Sequence, residues 1–88
     1  MPQRRVTVVN NLGLHARAAA KFVKLAARFS ASVTVTKDGQ QVSGSSILGL
    51  MMLAAGPGDE IEISADGSDA EAALEALTAL VTDRFEED

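Results

Sequence analysis

In "RRVTVV" (4–9), Val6 and Val8 alternate with polar neighbours, a period of two that predicts a first strand. A polar loop, "NNLG", follows. From His15 to Phe29 the period changes: Ala16, Ala19, Ala20, Val23, Ala26 and Ala27 recur at helical spacing. Arg17, Lys21, Lys24 and Arg28 form a basic stripe on another face of that helix. "SVTVT" (32–36) returns to alternation and predicts a second strand. "KDG" (37–39) reads as a hairpin turn and "QQVS" (40–43) as a short third strand. After "GSS", the apolar run Ile47–Ala55 predicts a short helix ended by "GPG" (56–58). "DEIEISA" (59–65) is a fourth strand, again by alternation. Ser68 and Glu71 have capping-box spacing, and Ala70, Ala73, Leu74, Leu77, Leu80, Val81 and Phe85 make the apolar stripe of a last helix.

The order is therefore βαββαβα, with no stretch left over for a linker. Residues 1–88 are expected to form a single α+β domain: four largely antiparallel strands in one sheet, with three helices on one face. Ser45 and Ser46 both stand where they can cap the second helix. That helix is apolar almost all round. Leu50 and Leu53 are expected to pack on the sheet, leaving Ile47, Leu48 and Met51 as an exposed apolar face of the kind that marks interfaces.

Composition narrows the chemistry. The chain has no cysteine, which removes disulfides, thiolate metal sites and cysteine nucleophiles together. A single histidine, His15, excludes a histidine-rich metal site and a serine–histidine triad has no support, so neither a metal nor a cofactor is expected. "GQQVSGS" (39–45) has a faint phosphate-loop spacing but lacks the lysine. The N-terminal residues have no apolar signal-peptide core, and no apolar run approaches bilayer length, so a cytoplasmic protein without membrane insertion is expected.

Charge is divided along the chain. Met1 to Lys37 holds seven basic residues and no acidic one; Asp38 to Asp88 holds twelve acidic residues and only Arg84 as a base. The halves carry +7 and −11, which sum to the net −4. A basic surface on an acidic whole suits acidic partners or phosphate. Nucleic acid is disfavoured, because stacking aromatics are missing: three Phe, no Trp and no Tyr.

His15 sits where a helix begins, after Gly13-Leu14 and two residues before Arg17. At an N-cap, the backbone N–H groups of Ala16, Arg17 and Ala18 would gather near its ring, with the positive end of the helix dipole. Gly13 would permit the tight approach, and the Arg17 guanidinium would reach the same spot. That is an anion site with a nucleophile in its mouth. A neutral imidazole there would attack an activated phosphoryl group, and an exposed site would let the group leave again. A carrier fits better than a hydrolase. A small phosphatase would need a residue to position water, for which Asn10 and Asn11 are the nearby candidates.

"GLHARAAAKFV" (13–23) resembles the phosphorylation-site motif of the HPr family, the histidine phosphocarriers of the bacterial phosphoenolpyruvate-dependent phosphotransferase system. "SSILGLMMLAAGPGDEIEI" (45–63) resembles the family's regulatory-serine segment and the strand after it. The resemblance implies an HPr-like open-faced β-sandwich. It implies that His15 takes a phosphoryl group on Nδ1 from enzyme I and passes it to a IIA-type protein, with Arg17 assisting. It also implies that Ser46 matches a serine phosphorylated, in some branches, by an ATP-dependent HPr kinase/phosphorylase. Such a protein is a stoichiometric carrier rather than an enzyme, and is best served as a monomer. Lys21, Lys24 and Arg28, with Ile47, Leu48 and Met51, would dock the partners. One departure stands out: many members have proline where this chain has Ala18. Alanine keeps the helix and adds one N–H near the site. Alanine here is more similar to the nitrogen-related branch, often called NPr, than to sugar-uptake HPr, so both pathways stay open.

Overall fold

The structure, a computed structural model, describes residues 2–86. Along the chain run β1 (Gln3–Thr7), α1 (Ala16–Ala26), β2 (Ser32–Lys37), β3 (Gln40–Ser43), α2 (Ile47–Met52), β4 (Glu60–Asp66) and α3 (Ala70–Thr82), closed by a turn at Arg84–Glu86. The four strands form one sheet in the order β1-β4-β2-β3, every neighbouring pair antiparallel. The three helices cover one face, so the expected α+β open-faced sandwich is the fold. Alternation explains the register. Val6 pairs with Ile61 and Val35 with Ile63, turning four apolar side chains toward the helices. Arg5 pairs with Glu62 on the outer face, where it lies 3.9 Å from both Glu60 and Glu62. Such exposed ion pairs contribute little, typically less than about 1 kcal/mol.

The β2–β3 hairpin closes through Asp38 and Gly39, both at positive φ (51° and 82°), the backbone that a two-residue Asp-Gly turn requires. Beneath the helices the core is aliphatic and alanine-rich, filled by Phe22, Leu50, Ile61, Ile63, Leu74, Leu77 and Phe85.

Several element ends differ from the expectation, each for a local reason. β1 stops at Thr7, but Val8 still donates to Asp59 O and accepts from Gly58 N (both 2.8 Å), so the ladder gives way to a loop contact. α1 ends at Ala26 rather than Phe29, its last turn tightening as Arg28 N and Phe29 N reach back only three residues. Arg28 therefore lies just beyond the helix. The buried stripe of α1 is Ala18, Ala19, Phe22 and Ala26, whereas Ala16 and Ala27 are exposed. Alanines occupy every face of this helix and cannot mark the buried one. Phe22, with the most area to remove from water, sets it. α2 ends at Met52, ahead of the Gly-Pro-Gly, because Ala54 turns left-handed (φ 54°).

The expected capping box of α3 does not form. Asp69, not Ser68, is the N-cap, and its carboxylate makes no capping bond. Instead its two oxygens accept from Ser30 N and Ala31 N, both at 2.8 Å. Two charge-assisted bonds across the fold outweigh one local cap. Glu71 turns toward Arg4, 3.7 Å away. Phe85 is buried as expected, but it sits in the final turn rather than on α3.

Candidate functional site

His15 is the N-cap of α1, with extended backbone angles and a carbonyl that accepts from Ala19 N at 2.8 Å. Its side chain makes no capping hydrogen bond with the helix and is half-buried. The first helical N–H groups, on Ala16, Arg17 and Ala18, have no carbonyl upstream within the helix to receive them and point out of this end of α1. The helix dipole adds positive potential there. Ala18 is fully buried, so of the three only Ala16 and Arg17 expose side chains at this end.

The approach to His15 is built from both ends of a short loop. Gly13 has φ +63°, and Gly13 N bonds Asn10 O at 3.2 Å. Asn10 is fully buried and donates from Nδ2 to Gly13 O at 2.8 Å, a structural tie that takes this side chain away from any water-positioning role. Leu14 N then donates to Ala55 O at 2.9 Å, fastening the loop to the segment after α2. The left-handed break at Ala54 is what presents that carbonyl.

A shallow, open depression brings His15, Ala16, Arg17 and Lys21 together with Asn11, Leu12 and Glu86. Lys21 is half-buried, donating to Phe85 O at 2.8 Å and lying 3.8 Å from Glu86, so part of its charge is engaged within the fold. Lys24 and Arg28 are exposed and line an adjoining groove with Lys21 and Leu25. Ser46 is the N-cap of α2; its Oγ accepts from Gly49 N at 2.9 Å, while Ser45 bonds Ser43 instead. Leu50 and Leu53 are buried as expected, and Ile47, Leu48 and Met51 are exposed. None of the α2 residues lines the depression around His15, and Ile47, Leu48, Met51 and Met52 form an exposed apolar patch on α2.

Three contributors lie outside the sequence-based expectation. Leu12 is 71% exposed on the rim of the depression, and Met52 is 63% exposed on α2. An apolar residue in the polar "NNLG" loop is the signal that marks Leu12. Glu86 reaches the depression only because the chain end folds back, which no local pattern records. Among the described residues no group of three or more His, Cys, Asp or Glu is arranged to hold a metal ion, and no helix is long and apolar enough to cross a membrane.

Comparison with known proteins agrees with this geometry. The family model described as "PTS HPr component phosphorylation site" matches residues 2–83. The chain is 48% identical over 87 residues to the phosphocarrier protein HPr of Cupriavidus necator, covering 99% of this chain and 98% of that one. It is 47% identical over 85 residues to the phosphocarrier protein NPr of Shewanella violacea, covering 97% and 93%. Among solved structures, HPr-C-His from Thermoanaerobacter tengcongensis superposes with a TM-score of 0.95 at 40% identity, covering 100% and 99%. An HPr dimer from the same organism gives a TM-score of 0.78 at 40% identity, covering 99% and 100%. A sheet of this order, three helices on one face and a histidine capping the first of them accompany these matches, and the chain belongs to the HPr family of phosphocarrier proteins of the phosphotransferase system.

Proposed function

We propose that this chain carries a phosphoryl group on His15 Nδ1, receiving it from phosphoenolpyruvate-charged enzyme I and passing it to a IIA-type protein. The observation that carries the reading is the position of His15 at the α1 N-cap, in an open depression shared with Arg17. In the transfer, the imidazole lone pair attacks phosphorus and the bond to the donor breaks. The new dianion then meets the N–H groups of Ala16, Arg17 and Ala18, the helix dipole and the Arg17 guanidinium. Because the depression is shallow, the group stays accessible for onward transfer. The chain acts stoichiometrically, as a soluble cytoplasmic monomer that presents one face to each partner in turn. Lys24, Arg28 and the remaining charge of Lys21 attract acidic partner surface, and Ile47, Leu48 and Met51 supply apolar contact.

The test is phosphorylation by phosphoenolpyruvate and enzyme I, read by intact mass before and after mild acid. One acid-labile phosphoryl group is expected on the wild type and none on His15→Ala. Steady release of inorganic phosphate by the purified protein would instead support a phosphatase.

Regulation through Ser46, by an ATP-dependent HPr kinase/phosphorylase, is the second part of the proposal. Ser46 is half-buried at the start of α2 beside the apolar patch, so a phosphate there would add charge to the docking surface while sitting well at a helix start. Ser46→Asp is accordingly expected to change stability by less than about 1 kcal/mol, aspartate being as good a cap as serine. It is also expected to slow phosphoryl acceptance. A thermal melt and the acceptance assay on the same sample decide it; a much lower melt with normal acceptance refutes the account.

A further inference from the structure

The chain has no cysteine, tryptophan or tyrosine, so its only sulfur atoms are the thioethers of three methionines. Two of these are neighbours on α2. Leu50 (fully buried) and Leu53 (3% exposed) pack that helix on the core, which leaves Met51 39% and Met52 63% exposed beside Ile47 and Leu48. The aliphatic members of the patch are inert to peroxide; the two thioethers are not. Oxidising equivalents reaching the described surface of this molecule therefore converge on one spot.

We propose that Met51 and Met52 form a reversible oxidation site through which a hydroperoxide lowers phosphoryl transfer at His15. The inference rests on the reading above, in which α2 docks the phosphoryl donor. In the step, a thioether lone pair attacks one peroxide oxygen, the S–O bond forms and the O–O bond breaks. The leaving oxygen keeps its electron pair, takes up the proton and departs as water or an alcohol. Sulfur is oxidised by two electrons and the peroxide is reduced. The product replaces an adaptable apolar side chain with a strongly polar one. Neither residue is part of the buried face, so the fold tolerates the change. An apolar partner surface does not, since it would have to desolvate the S=O dipole without a matching donor. Thiol-dependent methionine sulfoxide reductases reverse the step.

The experiment treats the whole protein with hydrogen peroxide and locates the added oxygens by peptide mass, which also separates Met1 from the α2 pair. Phosphoryl acceptance from enzyme I is then measured across carrier concentrations. With Met51 and Met52 oxidised, the apparent KM for the carrier is expected to rise about tenfold, with little change at saturation and an unchanged melt. Sulfoxide reductases are expected to restore it. The M51L/M52L protein, compared with its own untreated rate, is expected to ignore peroxide. Doubly oxidised wild type that transfers at the untreated rate overturns the proposal, as does an M51L/M52L protein that loses as much as wild type. Untreated protein that accepts no phosphoryl group refutes the carrier reading itself, and the proposal with it.

Discussion

Gly13→Ala is expected to lower stability by about 2–4 kcal/mol and to slow phosphoryl acceptance even in the fraction that stays folded. Two effects add. Gly13 has φ +63°, where an alanine costs roughly 1 kcal/mol or a little more from its own backbone. The added methyl would also run into Ala55 O, and would come within 2.9 Å of Gly56 Cα. Both obstacles are backbone, and Ala55 O is held in place as the acceptor of Leu14 N. The loop must therefore move, and it carries His15 two residues later. Gly39→Ala is the control. Gly39 has φ +82°, but a methyl added there would meet nothing within 4 Å, so it should show the backbone cost without the collision. Urea titrations of both variants, at unchanged m, measure the difference directly. A Gly13→Ala protein no less stable than Gly39→Ala, with normal transfer, would refute the claim that this glycine seats the histidine.

Local pattern is enough to find the four strands and three α-helices among the described residues, most of them by their period and α2 by its apolar run between "GSS" and "GPG". Val6/Val8 and Ile61/Ile63 alternate, and the α3 stripe from Ala70 to Val81 repeats as a helix does. What the pattern misses is decided by partners far along the chain. Asp69 abandons its local cap for Ser30 and Ala31, 39 and 38 positions away, and Lys21 reaches Phe85 O across 64. The same distinction holds at the site. His15, Gly13 and Arg17 lie close together in the chain, so a histidine at a helix start, after a glycine and before an arginine, is legible in the sequence. Leu12 carries a weak signal, while Glu86 and the buried tie of Asn10 need the closed loop and the folded-back end. On α2, the exposure of Met52 beside Met51 follows from which leucines the core accepts, Leu50 and Leu53, and the helix is too short for periodicity to rank its faces.

That folded-back end makes Phe85 the second site of large expected effect. Arg84, Phe85 and Glu86 all have positive φ (58°, 54° and 64°), three residues without glycine in a region that disfavours side chains. The compensation is the Phe85 ring, which is fully buried in the common core. Phe85→Ala keeps the backbone strain and removes that burial, so a loss of about 3–5 kcal/mol is expected. For a domain of this size that is a large part of the total, on the order of 0.1 kcal/mol per residue. Phe85→Gly relieves the strain as well, and should recover no more than about 1 kcal/mol of the loss. If glycine instead matched the wild type, strain and not burial would govern the turn. The consequence reaches the site, because Phe85 O accepts from Lys21 and Glu86 lines the depression with His15 and Arg17. With the ring gone, the turn loses its anchor and Lys21 its acceptor. Under conditions where Phe85→Ala remains folded, its phosphoryl acceptance should therefore respond more steeply to ionic strength than the wild type, since Lys21 is then a freely screened surface charge.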